Sequence, residues 1–240
     1  MTVTAASGAS SNNRFYSNTI NGGNYGIVLR GFAATTPFTL ADTNNDIGGL
    51  SLTTGNTILN FGGAAAAANP SAGIRIVDQW SANASFNTIN NNNGSGVNHV
   101  STLRAIITSG GTSASLNINN NIISVQSGAT TSQLDAISNG AGNIAASNTI
   151  NINNNSVAIG YPNVAAAGNT INGIINSSSA NTVNINSNTV SQIPAVNLAG
   201  TGTWIMIEGG SPGGTLNTNN NIVSNIVRTG ASGTFRGVKA

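Results

Sequence analysis

Apolar residues along this chain return in short runs in which every second position is hydrophobic, and Gly, Ser and Asn bound each run. The segments SLNINNNIISV (115–125), TININNNSVAI (149–159), TVNINSNTVSQI (182–193) and TLNTNNNIVSNI (215–226) align without gaps through their Asn-rich centres, and SFNTINNNN (85–93) reads as a fifth member. Their first apolar residues form one column: Phe86, Leu116, Ile150, Val183 and Leu216. A second column follows the Asn run, with Ile123, Val157, Val190 and Val223. Between these segments lies a third row with the same alternation, led by Ile74, Leu103, Leu134, Ile171, Trp204 and Phe235. Runs of this length, rich in Ile, Val and Thr and with period two, are strands, and no helix-length pattern occurs.

Three strands recurring in register at roughly 33 residues predict an all-β fold, a parallel β-solenoid of about seven coils. The crossover preference of parallel strands favours a right-handed β-helix. An antiparallel sandwich would not return equivalent residues at a fixed interval. The organisation expected is one solenoid domain over 1–240, with regular coils in 61–240. Residues 1–60 are less regular, although SNTINGGNYGIVLRG (17–31) and GNTILNF (55–61) look like two further coils.

The most regular polar column is Asn91, Asn121, Asn155, Asn188 and Asn221, placed where the chain must turn between two strands. An Asn amide can bond the equivalent amide of the next coil, and Asn tolerates the left-handed backbone of a tight turn. This column is therefore read as a structural ladder. The flanking columns Asn119, Asn153, Asn186, Asn219 and Asn117, Asn151, Asn184, Asn217 either face solvent or extend it.

The repeats SNTINGGNYGIVLRG and SNTININNNSVAIG resemble the parallel β-helix repeat family. More narrowly, their Asn-, Thr-, Ser- and Gly-rich style resembles the β-strand-repeat regions of large secreted bacterial surface proteins. The resemblance runs from about residue 17 to the end and implies an extracellular or cell-surface location. It implies the fold more than the function, because this fold carries pectin-cleaving enzymes, phage tailspikes, adhesins and passive stalks alike.

Charge narrows the choice. Only 5% of residues are charged, against about 25% in ordinary soluble domains. Seven Lys+Arg and five Asp+Glu make no basic patch, so nucleic acid is not an expected partner. Disorder is also disfavoured, since 39% of residues are hydrophobic and regularly spaced. There is no cysteine for a disulfide, a zinc site or a thiol nucleophile. The opening MTVTAASGASS has no signal-peptide pattern, and no apolar stretch is long enough for a membrane span.

Candidate chemistry is sparse. Glycosidic cleavage needs paired carboxylates, and the acidic residues are Asp42, Asp46, Asp78, Asp135 and Glu208 alone. Asp135 is read in an exposed column with Arg75, Arg104, Asn172, Ile205 and Arg236, where an Arg104–Asp135 rung is a surface ion pair. ADTNND, with Asp42 and Asp46, lacks the remaining ligands of a calcium loop. His99 has no second histidine or cysteine to share a metal. The Gly-Gly pairs lack the helix and Lys of a phosphate loop and read as turns. Thr columns that change strand register argue against an ice-binding face.

The expected function is a structural repeat segment of an extracellular surface protein or filament, not an enzyme, with no cofactor and no metal. Its expected partners are its own kind, end to end, or the continuation of a longer chain. The alternative is an adhesin or glycan-binding module, with Trp80 as candidate surface contact and the loops 61–72 and 160–169 carrying specificity. A polysaccharide-degrading enzyme has less support.

Overall fold

The computed structural model describes residues 4–63, 70–91, 99, 101–129, 131–160, 170–193, 201–227 and 232–240. Within them the chain winds as a parallel β-solenoid with three seven-stranded sheets, each sheet taking one strand from every coil. The fourth coil shows the plan: Leu116–Asn119 lies in the first sheet, Ile122–Gln126 in the second and Leu134–Ala141 in the third. Every strand pair within these sheets is parallel, so the chain advances one strand spacing, about 4.8 Å, per coil. The only described helix is one 3-10 turn, Ala6–Gly8, and among the described residues no helix is long and apolar enough to cross a membrane.

Stacking puts like on like. Ile20, Ile58, Ile89, Ile123, Val157, Val190 and Val223 form one inward column of the second sheet. Leu103, Leu134, Ile171, Trp204 and Phe235 form one in the third. β-Branched side chains fit such a pleated, stacked surface, and the inner faces merge into one continuous apolar core from Ile27 to Ile207. The third sheet also breaks its pairing once per coil, at Gly26, Gly73, Ala105, Ala136, Gly173, Met206 and Gly237. Small residues dominate there because the second sheet presses against the break. A Cβ on Gly173 would lie 2.6 Å from Val190 Cγ1 and 2.4 Å from the Met206 carbonyl.

Three sequence assignments slip. The 85–93 segment is four residues out of phase: Leu116 pairs with Ala82, and Ile123 with Ile89. Phe86 is therefore no core anchor. It occupies the left-handed corner (φ 60°) that Asn120, Asn154, Ser187 and Asn220 fill in later coils. In the third sheet Ile74 pairs with Ile106 rather than Leu103, and Arg75 with Ile107, which removes Arg75 from the Arg104 column. The irregularity of residues 1–60 has a physical source in an insertion after strand Tyr25–Arg30. There Phe32, Ala34, Phe38, Leu40 and Ala41 form a small satellite cluster around Trp80.

Candidate functional site

The most ordered polar feature is the asparagine ladder at the corner between the first and second sheets. It runs through Asn18, Asn56, Asn87, Asn121, Asn155, Asn188 and Asn221. At each step the backbone N–H and the Nδ2 of one Asn both donate to Oδ1 of the Asn in the next coil. From Asn121 to Asn155 these bonds are 3.0 and 3.0 Å, and from Asn155 to Asn188 they are 2.9 and 3.0 Å. The second Nδ2 hydrogen turns back to a carbonyl of the preceding coil, as from Asn155 to Ile118 at 2.8 Å. The corner needs this: the residue just before the ladder Asn is left-handed in most coils, and the backbone groups there are buried away from water.

Asn91 does not belong to this column. The four-residue slip that displaces Phe86 also puts Asn87 where Asn91 was expected, opposite Asn121. Asn91 instead faces the following coil further along, donating to the Gln126 carbonyl at 2.9 Å and accepting from Gln126 N–H at 2.9 Å. The ladder also reaches further toward the amino-terminal end than expected, through Asn56 to Asn18.

Both flanking columns are ladders too, with the opposite polarity. In the outward-facing column, Nδ2 of Asn151, Asn184 and Asn217 donates to Oδ1 of Asn117, Asn151 and Asn184 at 2.8–2.9 Å. In the other, the backbone N–H of Asn153, Asn186 and Asn219 donates at 2.9 Å to Oδ1 of Asn119, Asn153 and Asn186.

The remaining candidates are structural in their surroundings. Trp80 is buried rather than presented to a ligand; its Nε1 donates to the Thr112 carbonyl at 2.8 Å and its ring lies 5.5 Å from that of Phe38. The rung of Arg104 and Asp135 forms at 2.7 Å, but Asp135 is fully buried, not exposed as its column suggested. Gln133 and Asn172 complete its shell, each donating through its side-chain amide at 2.8 Å. Such a carboxylate is held by its neighbours on all sides. Asp46 accepts from Asn83 Nδ2 at 2.7 Å and from the Tyr16 hydroxyl; the Tyr16 bond, together with burial and the negative charge of Asp46, pushes the Tyr16 hydroxyl above the ordinary tyrosine pKa. Buried Asp42 accepts from Ser10 N–H at 2.6 Å. The His99 ring is buried, with Nε2 3.2 Å from the Thr102 carbonyl. Among the described residues no three His, Cys, Asp or Glu come together as a metal site. Of the two loops expected to carry specificity, residues 64–69 and 161–169 lie outside the described residues.

What remains are the two edge coils. Trp204 and Ile207 are 3% and 0% exposed, yet Phe235 and Val238, next in the same columns, are 46% and 52% exposed. At the opposite end a mouth of about 410 Å³ opens into the core, lined by Phe15, Asn18, Thr19, Ile20, Gly26, Ile27 and Val28. Among the described residues, the outermost strand of each of the three sheets has a strand neighbour on one side only. Comparison of the chain with protein-family models, with curated proteins and with solved structures finds no match.

Proposed function

We propose that this chain is a structural segment of an extracellular surface protein or filament, a stiff rod whose length grows as coils stack on its open edges. The observation that carries the reading is the change along two columns: Trp204 and Ile207 are sealed in the inner coils, whereas Phe235 and Val238, next in the same columns, are half exposed. Burying that surface against another coil is favourable at about 25 cal/mol per Å², and the charge of +2 over 240 residues opposes association weakly. The hydrogen bonds of the coil corners and the burial of Asp135 serve cohesion, and no catalytic step enters the proposal. The alternative, a glycan-binding module with specificity carried by the loops 61–72 and 160–169, draws no support from Trp80, whose ring is packed inside the fold.

Electron microscopy of the purified chain over a dilution series tests the reading. Filaments with an axial repeat near 34 Å, seven coils at about 4.8 Å each, are expected. Isolated rods one chain long at every concentration would overturn it.

A further inference from the structure

The buried ladder has a direction, and this decides how two copies can meet. Asn18, Asn56, Asn87, Asn121, Asn155 and Asn188 each send the N–H and one Nδ2 hydrogen forward to the next Oδ1. Asn221 closes the series, so its forward donors point out of the carboxyl-terminal edge. Asn18 opens it, so its Oδ1 faces out of the amino-terminal edge. In this ladder the carboxyl-terminal edge is the donor and the amino-terminal edge the acceptor.

We propose that a second copy of this chain docks head to tail, its Asn18 Oδ1 receiving the forward donors of Asn221. The proposal rests on the reading of the chain as a self-stacking rod and adds the polarity and register of the joint. Continuing the register by one step sets Thr19, Ile20 and Asn21 of one copy on Ile222, Val223 and Ser224 of the other. In the third sheet Ile27 then covers Val238, and Tyr25 lies on Arg236; inside the chain the Tyr25 ring already carries the Arg75 guanidinium at 5.5 Å. The outward Asn column, whose polarity is reversed, matches equally. Asn217 Oδ1 is left facing forward, and the residue that the register brings over it is Arg14, a pure donor. Head-to-head contact about the same corner would instead set Asn18 Oδ1 on Asn18 Oδ1, acceptor on acceptor. A contact between unlike edges does not close on itself, so its product is an open filament rather than a dimer.

The absence of native cysteine allows a direct test. Thr19 and Ile222 are exposed and face outward, and neighbouring strands place their Cα atoms at about 4.8 Å, within disulfide range. Three samples are oxidised: Thr19→Cys alone, Ile222→Cys alone, and the two single variants mixed. Head-to-tail docking predicts at least about tenfold more cross-linked dimer in the mixture than in either variant alone. Asn221→Asp, which keeps the backbone N–H but replaces the side-chain amide donor by a carboxylate facing an acceptor, is expected to raise the concentration needed for filaments about tenfold with an unchanged circular dichroism spectrum. Cross-linking of a single variant with itself would overturn the polarity and leave the rod reading standing, as would filaments that form without cross-links in the mixture. Monomers at every concentration would overturn both.

Discussion

Removing one interior rung of the ladder tests the account of what holds the coils together. Asn155→Ala deletes four hydrogen bonds: two that its amide donates, to the Ile118 carbonyl and Asn188 Oδ1, and two that its Oδ1 accepts from Asn121. Asn188 Oδ1 keeps a partner, because the Asn155 backbone N–H still donates to it at 2.9 Å. The groups stranded are the Asn121 N–H and one of its amide hydrogens, both at a fully buried residue, and the Ile118 carbonyl loses its side-chain donor. Each stranded buried donor costs about 1–3 kcal/mol, so the variant should lose roughly 2–6 kcal/mol, a large part of the 5–15 kcal/mol typical of a whole domain. The matched control is Asn151→Ala, in a ladder of the same spacing that solvent reaches, where water replaces the lost partners; the expected loss is within about 0.5 kcal/mol. Urea unfolding followed by far-ultraviolet circular dichroism measures the difference, and amide exchange at residues 118–123 localises it. Equal losses for the two variants, or less than about 1 kcal/mol for Asn155→Ala, would refute the claim that burial gives the inner ladder its weight.

Other outcomes follow from the same geometry. Gly48→Ala should destabilise by at least about 2 kcal/mol in the same urea assay, because a Cβ at this left-handed residue (φ 103°) would sit 1.9 Å from the Ser85 carbonyl. Arg104→Ala should cost about 3 kcal/mol at neutral pH by stranding the buried Asp135 carboxylate, and adding Asp135→Asn should recover part of that loss in a double-mutant cycle. The Tyr16 pKa is raised by its hydrogen bond to Asp46, so the folded chain holds that proton more tightly than the unfolded one. Any stability from this bond is full below the ordinary tyrosine pKa, near 10, and fades as pH rises through the higher folded value. Ultraviolet titration should show a late-ionising tyrosine component, and Tyr16→Phe should abolish it.

The solenoid was legible because period-two alternation and a repeat near 33 residues are written in side chains whose stacking is the fold itself. What was not legible has specific causes. The strand Ala82–Ala84 meets the core with two alanines, so the eye passes over it to Phe86, the next large apolar residue, and the Asn-rich stretch beyond it accepts a four-residue slip without protest. The same slip puts Asn91 in the ladder and leaves out Asn87. Trp80 was misplaced because its cover, residues 32–41, comes from an insertion outside the repeat. The burial of Asp135 depends on Gln133 and Asn172, neighbours that only the folded coil assembles.

Because each coil is held almost wholly by the coils beside it, tension along the chain would meet the solenoid one coil at a time. Pulled from an edge strand, the outermost coil gives way while those beneath keep the bonds among themselves, and each loss frees roughly 110 Å of extended chain. The extension would thus come in repeated, nearly equal steps, and what remained folded would be a shorter rod with the same edge.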